Sequence, residues 1–96
     1  MKNLFISQPM HGKSDEEILS ERKKAIRTAE NSLGEPVKVL ESFSQNFNGK
    51  PLQFLAKNIG LLAQADVAYF APGWESARGC KIEHECSVQY GITRIE

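Results

Sequence analysis

The chain has little of several things, and each shortage excludes a class of protein. It holds two cysteines and one tryptophan in 96 residues, and its 12 Lys plus Arg balance its 12 Asp plus Glu. Cys80 and Cys86 cannot pair within one helix, because six residues turn through about 600° and point the thiols apart. A lone C-x5-C is no zinc spacing either, so both are expected to be free, small, half-buried side chains. Zero net charge argues against a dedicated binder of duplex nucleic acid, which carries a basic excess. No apolar run approaches the roughly 18 residues of a membrane span. The opening MKNLFISQPM has one Lys and a short apolar stretch that goes straight into a turn, too brief for a signal peptide. These shortages predict one cytoplasmic domain spanning residues 1–96, without membrane contact. Its core is modest, so oligomerisation is an expected supplement.

What is present is an alternation. Asn3–Ser7 is a short apolar run that ends at Gln8-Pro9 and reads as a buried strand. Ser14 then opens a helix with Glu17 three residues on, the spacing of a capping box, and Gly34 ends it. Its expected inward stripe is Ile18, Leu19, Ala25, Ile26, Ala29 and Leu33. Pro36–Glu41 reads as a second strand and Ser42–Lys50 as a polar loop; Pro51 starts a second helix with Leu52, Leu55, Ala56, Ile59, Leu62 and Ala63 at helical spacing. Asp66–Ala71 is a third strand, Ala77–Tyr90 a third helix, and Ile92–Ile95 a fourth strand. Short apolar strands separated by helices mean an α/β domain: a parallel four-stranded sheet with right-handed crossovers and helices on both faces.

Ligands of such sheets bind beyond the carboxyl ends of the strands. The loops there, Gln8–Lys13, Ser42–Lys50 and Pro72–Arg78, carry Met10, His11, Phe43, Asn46, Phe47, Trp74, Glu75 and Arg78. Trp74 has two readings, a flat surface for a nucleobase or sugar and a closure of the core or a subunit contact. His11 follows the first strand, where an anion can be received; it reads equally as a solvated loop residue. G-x-S-x-G, P-loop and G-x-G-x-x-G motifs are absent. Cys80 and His84 stand at i, i+4, but without a third ligand nearby no metal site is expected. On the third helix, Ile82, Cys86 and Tyr90 form the predicted sheet-facing side, with Glu83 on its margin in the second turn. A partly desolvated carboxylate there is a candidate base or nucleophile; the other reading is a surface acid paired with Lys or Arg. Arg22 interrupts the first helix's apolar stripe and would snorkel, pair with an acid or reach a phosphate.

Three segments, FISQPMHGKSDEEI, KNIGLLAQADVAYFAPGWE and SARGCKIEHECSVQYGI, resemble the nucleoside 2-deoxyribosyltransferase-like superfamily, and most closely its branch of small single-domain bacterial and phage proteins. The match covers nearly the whole chain and rests above all on Gly79-x-x-x-Glu83 with Ser87 following. The resemblance implies a three-layer Rossmann- or flavodoxin-like domain with strand order 2-1-3-4. It implies chemistry at an N-glycosidic bond, either 2-deoxyribosyl transfer between bases or hydrolysis of deoxynucleoside 5′-monophosphates, with Glu83 attacking C1′ of the deoxyribosyl group and Asn58 orienting the sugar. Ser7, Gln8, Met10, His11, Trp74, Ser76, Arg78 and Gly79 would hold base, sugar or phosphate. It further implies a small nucleoside or nucleotide ligand, no cofactor, no metal, and a homodimer or larger homo-oligomer. Two positions depart from active relatives: Asn58 stands where they have aspartate, and Ala77 where those that hydrolyse monophosphates have serine. Phe5 corresponds to their tyrosine. These departures keep open a non-catalytic module that binds or sequesters a nucleotide.

Overall fold

A computed structural model describes residues 1–43 and 49–96. Asn46 and Phe47, expected at the ligand edge, lie outside the described residues. The elements run β1 (Lys2–Ser7), α1 (Asp15–Leu33), β2 (Val37–Val39), α2 (Pro51–Leu62), β3 (Val67–Phe70), a 3-10 turn (Trp74–Ser76), α3 (Arg78–Gln89) and β4 (Thr93–Ile95). The sheet is parallel throughout with order β2-β1-β3-β4. Leu4 pairs with Val67 and Ser7 with Phe70. The predicted α/β class, strand order and parallel sheet are all present.

Alternation along β1 and β3 divides the core. Leu4, Ile6, Val67 and Tyr69 pack with Ala25 and Ala29 of α1. Phe5, Ala68 and Phe70 face the other way, toward Leu62 of α2, with Ile59 and Cys86 packed against them. Ser7, in step with Phe5, therefore points to the face covered by α2 and α3. The strand order reverses between β1 and β3, which puts the switch point beside Ser7.

The ends of α1 follow local chemistry. The Ser14 hydroxyl accepts from the Glu17 N–H at 3.2 Å, and the Glu17 carboxylate accepts from the Ser14 N–H at 3.0 Å. Gly34 closes the helix at φ 71°, and a Cβ there would meet nothing within 4 Å. The cost of Gly34→Ala is therefore conformational alone, about 1 kcal/mol, and is expected as a melting temperature lower by about 4–8 °C. An unchanged melting temperature would remove the left-handed cap from the account.

Three helix faces differ from the sequence expectation. In α1, Leu19 is exposed and Arg22 is buried in the stripe. In α2, Leu52 is exposed, while Asn58 and Leu62 are buried. In α3, Ile82 and Tyr90 are exposed, and the buried set is Cys80, Glu83 and Ser87. Glu83 thus sits at the centre of the inward face and not at its margin, because its carboxyl and the Ser87 hydroxyl find partners inside. The Ser87 hydroxyl donates to the Glu83 carbonyl at 2.9 Å. The second strand is also shorter than Pro36–Glu41. The Leu40 N–H still donates to the Leu4 carbonyl at 2.9 Å, and beyond it the chain leaves the ladder, where the Leu40 carbonyl and the Ser42 side chain turn to Arg22. Among the described residues no helix is long and apolar enough to cross a membrane.

Candidate functional site

The carboxyl ends of β1 and β3 open into a cleft of about 920 Å³, within the range of small-molecule sites. Its walls come from Ile6 and Ser7 of β1, the loop Gln8–His11, the first half of α2, and the start of α3. Of the predicted site residues, Ser7, Gln8, Met10, His11, Asn58, Ser76, Arg78, Gly79 and Glu83 all line it.

Glu83 is the one carboxylate among the described lining residues. It is 5% exposed, and its Oε1 accepts a hydrogen bond from the Ser7 hydroxyl at 2.6 Å. Burial pushes its carboxyl up to about 7, and the Ser7 bond works against that rise. Cys80, one turn earlier, lines the same cleft; burial is the main cause that raises its thiol to about 11, so it is a neutral S–H at ordinary pH.

Asn58 is equally buried, and its Oδ1 has no hydrogen-bond partner among the described residues. An orphaned buried acceptor costs about 1–3 kcal/mol, so the cleft asks its occupant for a donor. The start of α3 supplies the opposite need. Ala77 gives it no side-chain cap, which leaves the N–H groups of its first turn to other acceptors. Arg78 stands there, and a Cβ at Gly79 would meet only Leu55 Cδ1 at 4.0 Å, an ordinary contact. Neither packing nor backbone conformation demands a glycine at that position, whose bare backbone keeps the helix start approachable.

Two predicted binders act differently. The Gln8 side chain is used at both ends: its Nε2 donates to the Ile18 carbonyl at 3.1 Å, and its Oε1 accepts from Arg22 at 3.1 Å. Only the rest of the residue can serve a ligand. Trp74 does not line the cleft. Its ring stacks on His84 at 4.0 Å and lies against Phe70 at 5.7 Å, beside a separate depression near Lys24 and Glu96. Of its two readings the structure favours closure of the core. His84 is further engaged by Glu96 at 2.8 Å, so it makes no catalytic pair with Cys80. Among the described residues no group of His, Cys, Asp and Glu is placed to hold a metal ion. Arg22 is buried and bonds the neutral oxygens of Gln8, Ser42 and Leu40, and of its expected roles only attraction to an acid is present, as the charge of Glu41 acting on the guanidinium without a direct contact.

Lys50, Phe54 and Leu55 line the cleft and were not among the predicted residues. Their place just before and after Pro51, at the helix start nearest the ligand edge, is the signal that could have found them. No curated protein and no solved structure matches the chain. The family model of a domain of unknown function (DUF4406) matches residues 2–95, and the chain belongs to that family.

Proposed function

We propose that the protein binds a nucleoside or nucleotide in this cleft and cleaves its N-glycosidic bond, with Glu83 as the nucleophile. The observation that carries the reading is a single buried carboxylate, fixed by Ser7, in a cleft that also presents the unpartnered Asn58 Oδ1. Asn58 Oδ1 accepts from a sugar hydroxyl. The N–H groups at the start of α3, with Arg78, receive a phosphate. Phe54, Leu55 and Met10 form an apolar wall for the base.

Glu83 Oε2 bonds to C1′ as the C1′–N bond breaks, and that electron pair leaves with the base. The base takes its proton from water or from His11 at the rim. Water then adds at C1′, releasing the Glu83 carboxylate and giving its proton to solvent. Free thiols at Cys80 and Cys86 suit the reducing cytoplasm. A second copy of the chain would cover the exposed Leu52 and Ile82 at the cleft rim.

One observation favours the non-catalytic reading. Asn58 and Ala77 are neutral, so the described lining offers no second buried acid for the leaving base. Both readings are decided by incubating the protein with deoxynucleosides and their 5′-monophosphates and following free base by chromatography. Release that falls to background in Glu83→Gln is expected. Release unchanged by Glu83→Gln would remove Glu83 from the chemistry. No release, with a ligand-raised melting temperature, would make the protein a binder.

A further inference from the structure

Glu83 lies on α3, but the group that holds it comes from the far end of the chain, 76 residues away. Ser7 is the last residue of β1 and is 2% exposed. Its backbone is fixed in the sheet, paired with Phe70, and its carbonyl accepts from the Ala71 N–H at 2.9 Å. A hydroxyl has one proton, and this one is committed to Glu83 Oε1 at 2.6 Å, the length of a bond to an ionised oxygen.

We propose that Ser7 is the positioning residue of the cleft: it holds the Glu83 carboxylate by one oxygen, favours its ionised form and turns the other oxygen to the ligand. The assignment rests on Glu83 being the group that reacts, and it adds a residue that acts through Glu83 without touching the substrate. The charged groups near the site come from its rim: His11 from the β1 loop, Lys50 before α2 and Arg78 at the start of α3, all exposed. From α2 the buried group is neutral Asn58, and from α3 it is Cys80, a neutral thiol set against Ser7. Among the described residues Ser7 is the side-chain donor that reaches the Glu83 carboxylate, and it stands on an element too rigid to follow the side chain if it swings.

The test is a carbon-13 NMR titration of the glutamate side-chain carboxyls, with the Glu83 signal assigned by its loss in Glu83→Gln. In Ser7→Ala the Glu83 midpoint is expected to move up by about one unit. Ser7→Thr, which keeps the hydroxyl, is expected to return it. Ser7→Cys, nearest in size and a weaker donor, is the second rescue and should fall between. In base release, Ser7→Ala is expected to shift the acid limb of the kcat profile upward by the same amount and so to lower kcat at pH 7 about fivefold, with KM unchanged. A folded Ser7→Ala protein whose Glu83 midpoint stays in place overturns the proposal. So does a midpoint that neither hydroxyl nor thiol restores. If the midpoint moves as expected but the wild type releases no base, the glycosidic reading falls and the control of Glu83 by Ser7 stands on the titration.

Discussion

Replacing Arg22 by methionine is expected to lower the unfolding free energy by about 3 kcal/mol, a large share of the roughly 5–14 kcal/mol available to a domain of 96 residues. Methionine fills much of the space of the arginine stem, so the loss lies in the donors. The buried guanidinium gives Nη1 to Gln8 Oε1 and to Ser42 Oγ, each at 3.1 Å, and Nη2 to the Leu40 carbonyl at 3.3 Å. Each acceptor stripped of its donor inside the fold costs about 1–3 kcal/mol. Release of a buried charge to nothing more than an absent side chain offsets part of that sum.

The knot reaches further, since Ser42 also donates to the Ile6 carbonyl at 2.9 Å and Gln8 to that of Ile18. One side chain thus ties α1 to the end of β1 and to the segment after β2. Arg22→Lys should rescue little, because a single ammonium cannot reproduce the planar fork that serves three oxygens. Urea denaturation of the three proteins measures it. A loss below about 1 kcal/mol in Arg22→Met would mean that water meets these acceptors and the knot is ornamental.

Glu83→Gln should be more stable than the wild type at pH 8, by about 3 kcal/mol, and close to it at pH 4.5. The sign follows from the direction of the shift. In the fold the Glu83 carboxyl is raised from 4.5 to about 7, so between those values the folded chain keeps a proton that the unfolded chain has lost. Stability then falls as pH rises through that window, at about 1.4 kcal/mol per unit. Glutamine never ionises, and its amide oxygen can still accept from Ser7, so this descending arm should vanish. Denaturation of both proteins at pH 4.5, 6 and 8 reads it directly. Parallel profiles would mean that the carboxyl is solvated in the folded state. The variant that removes the proposed nucleophile would then be the sturdier protein, as expected where a site holds a charge that the fold alone would not choose.

The element order was legible because it is written locally. Apolar runs near Phe5 and Ala68 alternate with helical spacing, and Ser14, Gly34 and Pro51 mark helix ends. The position of the cleft followed from that order alone. The inward face of α3 was not legible. Its apolar residues Ile82 and Tyr90 face out, while Glu83 and Ser87 face in, and their burial is tolerable only through hydrogen bonds. For the carboxyl the partner is Ser7, which no spacing within the helix displays. Arg22 stood out as an anomaly for the same reason, yet its acceptors lie 14 to 20 residues away. Trp74 kept two readings in the sequence because a loop aromatic beside a glycine looks free until a neighbouring ring, here His84, takes its face.

The strand order has a consequence for biosynthesis. Of the four strands β1 leaves the ribosome first, but it occupies a central place in the sheet, between β2 and β3. Leu4, Phe5 and Ile6, each at most 1% exposed in the finished fold, must wait for residues 67–70 before their second edge is covered. At synthesis rates of about 5–20 residues per second, that wait lasts several seconds. Through it the nascent chain carries a bare hydrophobic strand, open to any other strand it meets. The early α1, with its capping box, is the first helix that can shelter a face of β1, and α2 can cover the other face only shortly before β3 arrives.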